Sequence, residues 1–307
     1  MTLALVFPGQ GSQSIGMLSA LSEQHSEVKS VFSSASQVLG FDLWALVQNG
    51  PEADLNLTHN TQPAMLAAGV ATWKVWQSKN GKAPAFMAGH SLGEYTALVC
   101  AGAINFEDAV SLVADRGRFM QEAVPEGVGA MAAILGLDDD AVIGVCKDSG
   151  QNEVVNAVNF NAPGQVVIAG HKDAVARATE LAKEKGAKRA VILPVSVPSH
   201  CELMKPAADR LAERLKNIEI KKPVVPVINN VDVTASDDAD KIRDALTRQL
   251  YMPVRWVEVV QKMEASGVDT LVECGPGRVL VGLNKRIAKA MNALPVFDPE
   301  SLDKALA

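Results

Sequence analysis

Five apolar residues at positions 3–7 (Leu-Ala-Leu-Val-Phe), closed by Pro8-Gly9-Gln10-Gly11, predict a buried strand that ends in a turn. Apolar residues at helical spacing over 27–39 and 62–77 predict two helices, with Asn49-Gly50-Pro51 breaking the chain between them. A second short apolar run, 85–89, predicts a strand, and the apolar stretch reaching Cys100 predicts a helix directly after it. Residues 129–195 keep a different rhythm: strands over 129–137, 154–160, 165–170 and 187–195, helices over 138–149 and 171–185. Their β-α-β-β-α-β order is ferredoxin-like, with Asn161-Ala162-Pro163-Gly164 as the central hairpin connection. Beyond it the pattern predicts a helical stretch around Pro206 ending near Leu215, a strand over 224–228 and a helix within 249–264. A strand over 269–273 and a helix over 279–290, joined through Gly275-Pro276-Gly277, complete the chain. Alternating strands and helices imply mostly parallel pairing. The expected architecture is an α/β domain from residues 1–126 and 197–307, interrupted by a small ferredoxin-like subdomain over 127–196.

Composition narrows the function. At 307 residues the chain has enough apolar material for one large domain with an insertion, and only 5% of it is aromatic, so the core should be aliphatic. A formal charge of −6, from 29 Lys plus Arg against 35 Asp plus Glu, argues against nonspecific binding to nucleic acid or to an anionic membrane. No apolar run approaches the roughly 20 residues that span a bilayer, and the turn at Pro8 comes too early for a signal peptide. Cys100, Cys146, Cys201 and Cys274 are scattered without metal-ligand spacing and suit free thiols in a cytoplasmic protein.

The sharpest chemical signal is Gly89-His90-Ser91-Leu92-Gly93, a G-x-S-x-G nucleophile elbow of the α/β-hydrolase kind, set between a strand and a helix. Its glycines allow the sharp turn that presents Ser91 at a helix N-terminus, where developing negative charge is favoured. A serine nucleophile needs a base, and of five histidines His200, in Pro198-Ser199-His200-Cys201, is the strongest candidate. A packed histidine is the other reading of that position. The backbone amides of Gln10 and Leu92 are candidate oxyanion donors, the first from the loop after strand 3–7, the second from the residue that follows the serine. For Gln10 a purely structural turn is the alternative. Arg116 interrupts a partly apolar helical segment; it suits either a surface ion pair or a receptor for a free carboxylate, which a guanidinium binds through two directed hydrogen bonds.

Taken together, these segments resemble the bacterial malonyl-CoA:acyl carrier protein transacylases of dissociated fatty acid synthesis. The resemblance spans nearly the whole chain. It rests on residues 7–13 (FPGQGSQ), 89–94 (GHSLGE), Arg116, 159–165 (NFNAPGQ), 197–200 (VPSH), Asn229-Asn230 and 273–277 (ECGPG). It implies that Ser91 is acylated, that His200 is its base, that Arg116 holds the malonyl carboxylate, and that the Gln10 and Leu92 amides form the oxyanion hole. It also places the backbone carbonyl of Gln249 against His200, giving a Ser-His dyad without a carboxylate member. The implied donor is malonyl-CoA and the acceptor a holo acyl carrier protein bearing phosphopantetheine, with no permanent cofactor, no metal, and a monomeric enzyme. Lys188, Arg189, Arg278, Lys285, Arg286 and Lys289 are candidates for a basic rim facing the acidic carrier. A serine thioesterase, a noncatalytic carrier-binding protein, and the same transfer serving polyketide synthesis are the competing functions.

Overall fold

Strand β1 (Leu3–Phe7) is buried along its full length because its sheet is covered on both faces. The computed structural model describes residues 2–195 and 197–307; Ser196, the last residue of the expected insertion, lies outside the described residues. β1 pairs in parallel with β2 (Phe86–Gly89) on one side and β8 (Thr270–Cys274) on the other. β7 (Val227–Ile228) and β9 (Asn292–Val296) complete the order β7-β2-β1-β8-β9, every pair parallel.

Alternate residues of β1 feed two cores. Leu3, Leu5 and Phe7 join Met87 and Val272 under the helices Ser26–Leu39, Thr58–Ser78, Gly93–Cys100 and Phe106–Ala123. Ala4 and Val6 join Ala88 and Leu271 on the opposite face, under Trp256–Ala265 and Val279–Ile287. Parallel strands all deliver their C-terminal loops to one edge of the sheet, which is where a site belongs in such a fold.

The second sheet is antiparallel, built from β3 (Gly129–Leu135), β4 (Val155–Ala162), β5 (Gln165–His171) and β6 (Arg189–Ile192) in the order β4-β5-β3-β6. This is the ferredoxin-like order expected from the sequence. The helices Asp139–Gly150 and Lys172–Glu184 cover one face through Val142, Val145, Val175 and Ala178. The other face carries Met131, Val158 and Val167 against Cys201, the neighbour of His200. β4 is tied to the first unit by two backbone hydrogen bonds with Val254, at 2.8 and 3.0 Å. Gly129, where the chain enters this sheet, packs against Pro198, where it has returned.

Several elements differ from expectation in extent. The strand expected over 187–195 is confined to Arg189–Ile192, and that expected over 224–228 to Val227–Ile228, after Pro226. The helix expected from residue 62 begins at Thr58, because Thr58 and Thr61 are buried although polar. The helix expected within 249–264 is Trp256–Ala265; a further helix before it, Ala239–Gln249, was not expected, and Gln249 closes it. β9 and the helix Pro299–Leu306 were not expected. Among the described residues no single helix is long and apolar enough to cross a membrane, and all four cysteines are free thiols.

Candidate active site

The turn between β2 and the helix Gly93–Cys100 is built by steric necessity. A Cβ on Gly89 would lie 1.8 Å from the Gly93 carbonyl carbon, and one on Gly93 would lie 2.1 Å from the Phe7 oxygen. Only glycine permits this approach of elbow, helix and β1. Ser91, at its apex, is held at φ 52°, a left-handed conformation costly for a residue with a side chain. Asn230 clamps it there: its Oδ1 accepts from the Ser91 N–H at 2.7 Å while its Nδ2 donates to the Gly89 carbonyl at 2.8 Å.

His200 reaches the same point from the other side of the insertion and is also left-handed, at φ 67°. Its Nε2 lies 2.8 Å from Ser91 Oγ, and its Nδ1 lies 2.6 Å from the Gln249 carbonyl oxygen. A carbonyl can only accept, so Nδ1 carries the proton and Nε2 is left to accept from the serine hydroxyl. Burial, reinforced by the Arg116 charge, pushes the His200 pKa down to about 3. The imidazole is therefore neutral at ordinary pH and available as a base.

Arg116, from the middle of the helix Phe106–Ala123, is 1% exposed, which removes the surface ion pair from consideration. Its Nη1 donates to Gln62 Oε1 at 2.8 Å; its Nη2 donates to Gln249 Oε1 at 3.0 Å and to Ser91 Oγ at 3.3 Å. The guanidinium lies 5.3 Å from the centre of the Tyr95 ring. Its Nε is buried without a hydrogen-bond partner, and among the described residues no carboxylate is in ion-pair contact with it. A desolvated cation so placed favours any anion that enters, and burial is what holds its own pKa below the usual arginine value.

The loop after β1 packs against the elbow: the His90 N–H donates to the Phe7 carbonyl at 3.0 Å, and Gly9 abuts the His90 carbonyl. Gln10 is exposed on this loop and Leu92 is buried at the helix N-terminus. Among the described residues neither backbone N–H is taken by a protein acceptor. His90 points away from the serine, its Nε2 2.8 Å from Asn161 Oδ1 on the small sheet.

Thus Ser91, His200, Arg116 and Gln249 meet within hydrogen-bond reach, with the Gln10 loop and the Leu92 N–H beside them. Gln249 contributes its side chain as well as its carbonyl, and Gln62, Glu94 and Asn230 join the network without having been assigned roles from sequence. Glu94 lies in the elbow helix's first turn, and a carboxylate in so apolar a stretch was the available signal. Of the proposed basic rim, Lys188 and Arg286 line one recess, but Arg286 is engaged by the Pro163 carbonyl at 2.9 Å and by Gln165.

The sequence matches the family described as "Acyl transferase domain" over residues 4–296. It is 59% identical over 303 residues to the malonyl CoA-acyl carrier protein transacylase of Escherichia coli (strain K12), covering 99% of this chain and 98% of that one. The chain belongs to the bacterial malonyl-CoA:acyl carrier protein transacylase family. The Bacillus subtilis (strain 168) member is 48% identical over 305 residues, covering 99% of this chain and 96% of that one. A crystal structure of an acyl carrier protein S-malonyltransferase from Vibrio cholerae superposes with a TM-score of 0.97 at 62% identity, covering 99% of each chain. PlMCAT, a malonyl-transacylase solved in complex with the type II PKS acyl-carrier protein AntF, gives 0.99 at 59% identity, over 100% of this chain and 99% of that one. At such identity the whole fold, including the inserted antiparallel unit, is that of the transacylase family.

Proposed function

We propose that the chain is a malonyl-CoA:acyl carrier protein S-malonyltransferase that works by ping-pong exchange through an ester on Ser91. The observation that carries this reading is the buried Arg116 guanidinium, without an acidic contact and 3.3 Å from the hydroxyl of a serine already paired with a neutral histidine. His200 Nε2 takes the Ser91 proton as Oγ attacks the thioester carbonyl, and the Gln10 and Leu92 amides receive the oxyanion. Collapse breaks the C–S bond, and the imidazolium returns its proton to the departing coenzyme A thiolate. An imidazolium in a dry site beside a guanidinium is a strong acid, so this return is favourable. The carrier's pantetheine thiol then gives its proton to His200 and attacks the ester, reversing the bond changes. Arg116 pairs with the malonyl carboxylate throughout. Residues 127–196 act as an insertion into the unit formed by 1–126 and 197–307, walling the cleft beside Ser91; the His90–Asn161 hydrogen bond supports that division.

The activity serves fatty acid elongation in the cytoplasm, as the free thiols and the bacterial relatives suggest. Polyketide carriers are a second acceptor class, favoured by 59% identity to a transacylase solved with a type II PKS carrier. Loading the enzyme with radiolabelled malonyl-CoA, removing free donor and adding holo carrier protein tests transfer against hydrolysis. Label should move to the carrier much faster than to water; release to water at the same rate with and without carrier would make the protein a thioesterase.

A further inference from the structure

Glu94 is 2% exposed and takes no part in the exchange just described. Its Oε2 accepts two hydrogen bonds, from the Asn230 backbone N–H at 2.9 Å and from Gln249 Nε2 at 2.8 Å. An oxygen that accepts on both sides dictates which end of the Gln249 amide faces it. The NH2 group turns to Glu94 and also reaches the Ser91 carbonyl, at 3.1 Å. The amide oxygen is thereby turned to Arg116 Nη2, at 3.0 Å. Carboxylate, amide and guanidinium form one chain in which each donor meets an acceptor, and reversing the amide would set NH2 against a guanidinium. Burial pushes the Glu94 carboxyl up to about 7, while the Gln249 and Asn230 hydrogen bonds and the Arg116 charge favour its ionised form.

We propose that Glu94 is a positioning residue for acyl-group selection: it locks the Gln249 side-chain amide, and through it the Arg116 guanidinium, in the orientation that receives a substrate carboxylate. The inference rests on the reading of Arg116 as that receptor. Its signature is the ratio of malonyl to acetyl acylation of Ser91, which a merely structural residue would leave unchanged.

The test is single-turnover acylation by malonyl-CoA and by acetyl-CoA in Glu94→Gln, Glu94→Ala, Gln249→Met and Arg116→Ala. Both hydrogen bonds to Glu94 end on one oxygen, which the oxygen of a glutamine can replace, so Glu94→Gln should keep most of the selectivity. Glu94→Ala and Gln249→Met should each lower the malonyl-to-acetyl ratio by about tenfold or more, the scale of a 1.4 kcal/mol interaction. Combined, they should lower it no further than the worse single variant, because they cut one chain twice. An unchanged ratio in folded Glu94→Ala, or a ratio in Glu94→Gln as low as in Glu94→Ala, overturns the proposal. Should Glu94→Ala not fold, Gln249→Met reads the same link from its other end, and an unchanged ratio there overturns it equally. A ratio unchanged in Arg116→Ala removes the receptor reading itself; a ratio lost there but retained in Glu94→Ala removes only the role of Glu94.

Discussion

Replacing Arg116 with alanine separates what every acyl donor needs from what only malonyl needs. The guanidinium donates to Ser91 Oγ at 3.3 Å, a contact that favours the attacking oxygen whatever the acyl group. Its charge also depresses His200, and that influence too is common to all donors. The pairing with a substrate carboxylate belongs to malonyl alone, and truncating one partner of a buried, hydrogen-bonded charge pair costs about 2–5 kcal/mol. With Arg116 only 1% exposed, solvent screening does little to reduce this. The lower figure corresponds to about 30-fold. Shared losses cancel in the ratio, so malonyl acylation should fall at least about 30-fold further than acetyl acylation in Arg116→Ala. Single-turnover acylation at saturating enzyme reads this directly, without carrier docking. Folding must be checked by thermal unfolding, because Gln62 Oε1 and Gln249 Oε1 each lose a buried donor, at about 1–3 kcal/mol apiece. Arg116→Lys should recover little, since an ammonium cannot reproduce the planar fork. Equal fractional losses for the two donors would refute carboxylate recognition and leave Arg116 a general activator of the serine.

Three further outcomes follow from the geometry. The ring of His200 should stay neutral from pH 8 down to pH 5 in an NMR titration, because burial and Arg116 hold its pKa near 3; titration near the ordinary histidine value would contradict the buried-base reading. The same shift makes stability fall as pH drops below about 6.5, where the unfolded chain binds a proton that the folded one refuses, and His200→Ala should flatten that dependence between about pH 6 and pH 4. Gly93→Ala should yield little folded protein, since its Cβ would sit 2.1 Å from the Phe7 oxygen; normal yield and activity would show that the elbow relaxes more easily than its packing implies.

What the sequence disclosed was what local pattern encodes. β1 and β2 are short apolar runs closed by turn residues, and both stood out; so did the alternation that became the antiparallel sheet. β9 did not, because Asn292-Ala293-Leu294-Pro295-Val296 contains a proline, which is tolerated only because β9 is an edge strand. The helix Ala239–Gln249 escaped because it is largely polar and buries only Ile242, Ala245, Leu246 and Gln249. In the site, Ser91 declared itself through flanking glycines, and His200 through scarcity of histidines and family resemblance. Gln62, Glu94 and Asn230 are different in kind. Their hydrogen bonds to Arg116, Gln249 and Ser91 span 54, 155 and 139 positions, separations that no local periodicity records. A buried polar network is legible only once the fold has folded its members together.

The central claim is a covalent malonyl ester on Ser91, and intact-protein mass spectrometry tests it most directly. Wild-type protein mixed with malonyl-CoA should gain the mass of one malonyl group, located on Ser91 by peptide mapping and lost on adding holo carrier protein. Ser91→Ala, folded, should gain none. An adduct that persists in Ser91→Ala, or wild-type transfer to the carrier with no adduct at any time, would contradict the ester mechanism.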